Sequence, residues 1–176
     1  MKFTTGLCRL SYEHIFEPHA DLNGEEKYSC SLLISKKDKK QIDRITEAFD
    51  SMLEDKDILV KLGGKAKGTT LPLHDGDEKD DDVYAGHVYL NARANVKYPP
   101  KVILQDRTEV VDQSDVYSGC YVQAVLSFYP YNQAGKKGIG VGLLAIRKIK
   151  DGEKLAGSAV TDNDWDDSQL DEDDLL

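Results

Sequence analysis

Residues 117–150 read YSGCYVQAVLSFYPYNQAGKKGIGVGLLAIRKIK, and this stretch decides the fold. Its first half alternates between two faces. The apolar face carries Cys120, Val122, Ala124, Leu126 and Phe128. The other face carries Tyr121, Gln123, Val125, Ser127 and Tyr129. This alternation is typical of a strand with one buried side, and we expect Pro130 to end its ladder because proline has no N–H to donate.

A turn and a second strand follow this first strand. Residues 132–138 are rich in Gly and Lys, which predicts an exposed basic turn. Beyond it, Ile139, Val141, Leu143 and Ala145 alternate with a face that holds Gly140 and Gly142. Glycines repeated on one face indicate a bend at a barrel corner or the close approach of another group. The stretch therefore predicts a curved hairpin in a small β-barrel.

Length and composition bound the rest of the chain. A chain of 176 residues predicts one domain with short appendages. It has no apolar run near the ~18 residues of a membrane span, and its first residues lack the apolar core of a signal peptide. We therefore expect a cytoplasmic protein without a membrane partner. Cys8, Cys30 and Cys120 are widely spaced, which favours buried, reduced thiols.

The net charge of −9 is confined to one end of the chain. Residues 1–150 contain 22 Lys or Arg and 22 Asp or Glu, whereas residues 151–176 contain one Lys and ten acids. Self-repulsion and the lack of a buriable face predict disorder there. We expect a folded domain over residues 1–155 and a disordered acidic tail over residues 156–176.

The first third of the chain predicts two strands and a helix. Residues 2–12 and 27–35 have strand patterns separated by a loop at residues 14–19, and antiparallel pairing is the simplest arrangement. Residues 36–54 then predict one amphipathic helix capped by Ser35. Its apolar stripe consists of Ile42, Ile45, Ala48, Phe49, Met52 and Leu53. Its first turn holds four lysines, which form either a solvated edge or a phosphate-contacting edge.

The segment that follows is less regular. The Gly/Lys-rich residues 62–70 lack the order of a phosphate-binding loop, and the acidic run 75–82 lacks the ligand pattern of a calcium loop. A solvated loop is the simpler interpretation of both. Whether residues 61–82 are ordered stays open.

Residues 83–97 predict a strand whose two faces differ in chemistry. Val88, Leu90, Ala92, Ala94 and Val96 point one way. Tyr89, Asn91, Arg93, Asn95 and Lys97 point the other way, without an acid among them. About five long strands and one helix are therefore expected in all, which makes the fold mainly β.

Catalytic and metal-binding patterns are absent from the sequence. The four histidines fall in predicted loops or at strand starts, and no zinc, metalloprotease or nucleophile motif occurs. We therefore expect no enzyme, cofactor or metal site. A basic and aromatic strand face instead favours binding of single-stranded nucleic acid, because rings stack on bases and cations contact phosphates. The candidate residues are Tyr89, Arg93, Lys97, Tyr98, Lys101, Arg107, Tyr121, Tyr129, Tyr131, Lys136 and Lys137.

Three motifs of the central hairpin carry a family resemblance: residues 119–122, 128–132 and 137–143. They resemble phage and prophage single-stranded DNA-binding proteins, long catalogued as a domain of unknown function. The resemblance implies an OB-fold, a five-stranded barrel that binds strands across one face. It also implies coating of single-stranded DNA in phage replication or recombination, location in the bacterial host cytoplasm, and often a homodimer.

The resemblance further implies that the acidic tail recruits replication partners such as a polymerase or a helicase. The candidate partner-binding residues are Trp165, Asp171, Glu172, Asp173, Asp174, Leu175 and Leu176. In the commoner pattern the last residue is aromatic, and this chain departs from it. Trp165 is expected to take the role of that aromatic residue in binding the partner. A tethered polyanion would also compete with DNA for the basic groove. The alternative is a protein–protein adaptor or DNA mimic whose acidic segments are the binding surface.

Overall fold

The structure is a computed structural model, and it describes residues 1–155, 171 and 173. Within this part of the chain there are eight strands and two α-helices. The strands are β1 (Lys2–Thr4), β2 (Cys8–Ala20), β3 (Glu26–Ser35), β4 (Leu73–Asp75), β5 (His87–Asn95), β6 (Lys101–Ile103), β7 (Tyr121–Gln133) and β8 (Lys136–Lys150). The helices are α1 (Lys39–Glu54) and α2 (Lys56–Lys61). None of the described helices is both long enough and apolar enough to cross a membrane.

Strands β7 and β8 form the predicted hairpin, and they pair in antiparallel register from Tyr121↔Lys150 to Gln133↔Lys136. The predicted apolar face of β7 is buried along its whole length. Pro130 does not end the strand as predicted, because it pairs with Ile139 in the continuing ladder. Two residues earlier, the N–H of Phe128 donates to Met1 O at the outer edge of β7. Residue 130 faces that same edge, away from β8, so the missing N–H of proline removes no bond of the β7–β8 ladder.

A bulge in β8 changes which of its residues are buried. Val125 pairs with Ala145 and Leu126 with Leu143, so Leu144 is an extra residue without a partner. The extra residue shifts the alternation of the strand by one position. Ile146 is therefore buried in place of Ala145, which was predicted on the apolar face.

Five strands close into a ring, as the predicted OB-fold requires. Antiparallel pairs join β2 to β3, β3 to β5, β7 to β8 and β7 to β2. The ring closes through one parallel pairing, Arg93 of β5 with Gly142 of β8. The short strands β1, β4 and β6 extend β7, β5 and β8 outside this ring.

The N-terminal prediction needs two corrections. Residues 2–12 are not one strand, because the chain turns at residues 5–7 between β1 and β2. Residues 14–19 are not a loop, because β2 continues through them to Ala20 in contact with β3. Register shifts between Ser11 and His14 and between His14 and His19 break the alternation, which hides the strand from sequence patterns.

The helix prediction also needs correction at its start. Asp38, and not Ser35, caps α1: its Oδ1 accepts a hydrogen bond from the Gln41 N–H at 3.2 Å. Ser35 still belongs to β3, where it pairs with His87. The predicted apolar stripe packs on the barrel core. The prediction of a single helix missed α2, which Asp55 caps by accepting from the N–H groups of Asp57 and Ile58.

The core is centred on Phe128, which is 1% exposed. Its ring lies 5.2 Å from the ring of Phe3 on β1 and 4.9 Å from the ring of Phe49 on α1, measured between centroids. The central hairpin, the N-terminal strand and the helix therefore meet at one side chain. All three cysteines are unpaired and buried, as predicted, and burial raises the pKa of the Cys8 thiol to about 12.

Residues 61–82 are ordered by contacts with the barrel. Thr70 exchanges backbone hydrogen bonds with the start of β8, and β4 pairs with β5. Lys36 precedes α1 and does not lie in its first turn as predicted. Its Nζ lies 2.6 Å from Oδ1 of Asp75 and also contacts Asp77, and these hydrogen bonds lower the pKa of both carboxyl groups. This lysine therefore anchors the acidic run to the barrel.

Candidate nucleic-acid interface

The outer face of the sheet brings polar side chains from adjacent strands into register. Lys27 of β3 lies opposite Asn95 of β5, and Ser29 lies opposite Arg93. On the next strand along, Arg93 is level with Gly142 of β8. Lysine, arginine and asparagine thus form a continuous polar surface, because residues at every second position share a face.

Two concavities lie along this surface and share Lys27, Asn91 and Arg93. The first, which we name the tyrosine pocket, has a volume of about 530 Å³ and is lined by Tyr129 and Tyr131. The second, the histidine pocket, has a volume of about 550 Å³ and is lined by His14 and His19, whose rings are stacked 4.3 Å apart. Because they share three residues, the two pockets form one groove.

Glycines opposite the two tyrosines let their rings lie against β8. Tyr129 pairs with Gly140, and Tyr131 pairs with Gly138. A Cβ on Gly140 would lie 2.6 Å from Oη of Tyr129 and closer still to its ring atoms, and a Cβ on Gly138 would lie 2.5 Å from Oη of Tyr131. Both distances are too short for real atoms. Of the two glycines at which close approach or a bend was expected, Gly140 shows close approach, by the Tyr129 ring, whereas a Cβ on Gly142 would meet no atom closer than 3.4 Å. Gly138, which was expected only in the turn, is approached in the same way by Tyr131.

This packing orients the rings and still leaves them accessible. Tyr129 remains 46% exposed, and Tyr131 is half-buried. A ring held in one orientation loses little conformational freedom when a base stacks on it, which favours binding. The glycines of β8 therefore have a positioning role for the tyrosines.

We predict that Gly140→Ala weakens binding of single-stranded oligonucleotides, because the added Cβ displaces the Tyr129 ring. The loss should approach the contribution of one stacked base, ~1–3 kcal/mol, in a fluorescence-anisotropy titration. Gly142→Ala is the matched control on the same strand and face, since its Cβ would meet no atom closer than 3.4 Å. Equal affinities of the two variants would contradict the positioning role.

The charge of the groove is uneven along its length. The tyrosine pocket is lined by Lys27 and Arg93, and no carboxylate among the described residues lines it. Asp21 lines the histidine pocket, whereas Glu25 lies 3.7 Å from the ammonium of Lys27, which both pockets share. The tyrosine pocket is therefore the more favourable place for a phosphate.

Lys137 supports one wall of the tyrosine pocket. Its Nζ donates hydrogen bonds to Leu62 O at 3.0 Å and to Lys65 O at 2.7 Å. These contacts hold the Gly/Lys-rich residues 62–70 against the start of β8. The same segment leads into Thr70, Leu71 and Pro72, which line the pocket. Lys137 was predicted to contact DNA, and the structure places it in contact with the backbone.

Tyr89 is enclosed by other side chains. Its ring lies 4.9 Å from that of the fully buried Tyr84 and 5.1 Å from that of His74. The ammonium of Lys79 lies 4.1 Å from the Tyr84 ring and 5.5 Å from the Tyr89 ring, within cation–π distance. Tyr89 therefore offers less free ring surface than the sequence suggested.

The remaining candidate residues lie outside both pockets. Tyr98, Lys101 and Arg107 are exposed around β6, and Lys97 and Lys136 are exposed at strand ends. Tyr121 contacts the cations of Arg9 and Lys150 at the other end of the hairpin. Of the predicted tail residues, Asp171 and Asp173 are exposed. Trp165, Glu172, Asp174, Leu175 and Leu176 lie outside the described residues.

The site also contains residues that the sequence analysis did not select. Lys27, Asn91 and Asn95 line the groove, as do the two stacked histidines. The alternation of β5 already placed both asparagines beside Arg93, and this signal could have found them. No sequence signal places the histidines there, because the register shifts in β2 decide their position.

Comparison with known proteins matches this architecture to one family. The family model described as Enterobacter phage Enc34, ssDNA-binding protein, matches residues 1–176. The chain belongs to this family. Protein p50 of Acyrthosiphon pisum secondary endosymbiont phage 1 is 32% identical over 185 residues, which cover 100% of this chain and 99% of that protein.

Solved structures agree with this assignment to the Enc34 family. The single-stranded DNA-binding protein from bacteriophage Enc34 in complex with ssDNA superposes with a TM-score of 0.75. It is 26% identical, and the match covers 88% of this chain and 89% of that one. Gp2.5, a single-stranded DNA-binding protein encoded by bacteriophage T7, has a TM-score of 0.58 at 17% identity, with coverage of 91% and 97%. The second likeness concerns the fold alone.

Proposed function

We propose that this protein binds single-stranded DNA in the groove formed by the tyrosine and histidine pockets. The observation that carries the proposal is the pair Tyr129 and Tyr131, which lie over Gly140 and Gly138 beside Arg93 and Lys27. The Enc34 protein, whose fold this chain shares, has been solved in complex with ssDNA. The groove combines stacking rings with cations, the two features that hold an unpaired strand.

In this proposal the bases and the backbone contact different residues. Bases stack on the exposed ring faces of Tyr129 and Tyr131, each contributing ~1–3 kcal/mol. Phosphates lie near Arg93 and Lys27, and their counterions are released on binding. Stacking requires only a π-face, so binding tolerates any sequence. The proposed activity is non-enzymatic.

The proposed biological role is protection of single-stranded DNA during phage replication or recombination, in the host cytoplasm. The acidic tail of residues 156–176 has two parts in it. It competes with DNA for the groove, because a tethered polyanion acts at high effective concentration. It also recruits replication proteins such as a polymerase or a helicase, through its acidic residues and Trp165.

A salt series with labelled oligothymidine tests the groove and the tail together. Fluorescence anisotropy should show affinity falling as salt rises, with a logarithmic slope of about 0.7 per phosphate neutralised. A chain ending at Leu155 should bind more tightly than the full chain, and the gap should narrow at high salt. The backbone N–H of Leu155 donates to Ser118 O, so this cut leaves that contact with the barrel intact.

Either half of this experiment can fail separately. Equal affinity of the two chains would contradict the proposal that the tail competes with DNA, but it would not contradict binding in the groove. Absence of binding by both chains at low salt would overturn the proposed function. The acidic segments would then be tested as a protein-binding surface, the adaptor or DNA-mimic alternative.

A further inference from the structure

The amide of Asn91 is oriented by a neighbouring strand. Its Oδ1 accepts a hydrogen bond from Oγ of Ser31 at 2.6 Å, and Ser31 lies directly opposite on β3. Ser31 is only 6% exposed, so the donor side of this hydrogen bond is buried. With the oxygen engaged inside the protein, the amide presents its N–H₂ group to the groove.

Two further residues on the same face of β5, Arg93 and Asn95, also present hydrogen-bond donors to the groove. Oδ1 of Asn95 accepts a hydrogen bond from the backbone N–H of Lys97 at 3.0 Å, which again leaves the amino group outward. Arg93 lies between the two asparagines, and a guanidinium can only donate. We name Asn91, Arg93 and Asn95 the donor row.

We propose that the donor row gives the groove a preference for bases that present acceptors, with thymine favoured over adenine. The inference rests on the proposed function, since it concerns the base edges of a strand bound in the same groove. Stacking on the tyrosines remains indifferent to sequence. The donor row adds a modest selectivity to it.

The chemistry of the base edges supports this order. Thymine presents carbonyl oxygens, which accept from an outward amide or guanidinium. Adenine presents an amino donor beside an acceptor, and an asparagine matches both only when its own oxygen is free. Ser31 and Lys97 each donate to one of those oxygens, which makes the oxygen a weaker acceptor for a second donor. An adenine amino group facing the donor row therefore meets an acceptor that is already engaged, which weakens binding.

The test compares affinities for labelled oligothymidine and oligoadenosine deoxynucleotides of equal length, using full-length protein. Adenine runs stack on themselves before they bind, but this cost is the same for every protein variant. It cancels when the thymine-to-adenine affinity ratio is compared between variants. The wild-type ratio should exceed one.

Two variants should lower this ratio by different routes. Asn91→Leu removes the donor, so affinity for oligothymidine should fall about twofold to tenfold, the effect of one hydrogen bond. Ser31→Ala frees the Asn91 oxygen to turn outward, so affinity for the adenine oligonucleotide should rise. Lys27→Ala is the control: it removes a phosphate contact outside the donor row, so both affinities should fall equally.

Three results would overturn the inference. They are a wild-type ratio of one or less, ratios in Asn91→Leu and Ser31→Ala that equal the wild-type ratio, or a change in ratio in Lys27→Ala as large as in Asn91→Leu. In each case the protein still binds DNA, and the proposed function stands. Failure of wild-type protein to bind either oligonucleotide would instead overturn the proposed function.

Discussion

Replacing Tyr129 and Tyr131 together by alanine should lower the affinity for single-stranded DNA by roughly thirtyfold or more. Each ring contributes ~1–3 kcal/mol when a base stacks on it, so losing both costs about 2–6 kcal/mol of binding free energy. The effect should be similar at low and high salt, because no charge is removed. Anisotropy titrations of labelled oligothymidine at two salt concentrations measure both quantities.

Two controls separate stacking from other causes. Replacing both tyrosines by phenylalanine keeps the rings and should preserve most of the affinity. Tyr98→Ala removes a tyrosine that is 75% exposed and lies outside both pockets, and it should bind nearly as wild type does. If Tyr98→Ala were as damaging as the double variant, the strand would follow another surface.

Phe128→Ala should lower the free energy of unfolding by about 3–5 kcal/mol, the usual cost of removing a buried aromatic ring. The cost is expected at the upper end for this fold, because the ring contacts both Phe3 and Phe49. The cavity would lie between β1, β7 and α1, three elements that cannot all move inward at once. Urea denaturation followed by circular dichroism measures the change.

Tyr129 is the matched comparison, since it is the next residue on the same strand and points outward. Tyr129→Ala should weaken DNA binding but change the unfolding free energy far less than Phe128→Ala does. Phe128→Leu fills part of the cavity and should recover part of the lost stability. A Phe128→Ala protein as stable as wild type would show that the barrel and α1 do not share this core.

The contrast between these neighbours follows from strand alternation, which is a local property of the sequence. It correctly separated the buried and exposed faces of β7 and of β5, but it extended the β5 strand too far, since Val96 lies beyond the strand and is exposed. It also located α1, and the family resemblance led to the OB-fold, which the closed ring confirms. The start of α1 was misplaced because Ser35 and Asp38 are both good caps, and only the pairing of Ser35 with His87 excludes the first.

Register and bulges lie beyond local patterns, because they depend on residues distant in the chain. The strand at residues 14–19 was missed since two register shifts break its alternation. Lys137 is chemically suited to a phosphate, yet it contacts carbonyl groups more than 70 residues away in the chain. Nothing in its immediate neighbours indicates this, because the contact exists only after the barrel closes.

The groove also divides into features that the local sequence determines and features that only the tertiary structure decides. The sequence alone determines the residue types that can bind an unpaired strand and the faces on which they lie. It also determines the segregation of the net negative charge into residues 151–176. The tertiary structure decides which of them meet: Tyr129 with Gly140, Arg93 with Gly142, and Asn91 with Ser31. Face and composition are encoded within a few residues. Pairing is decided by the burial of a shared core, to which strands far apart in the chain contribute together.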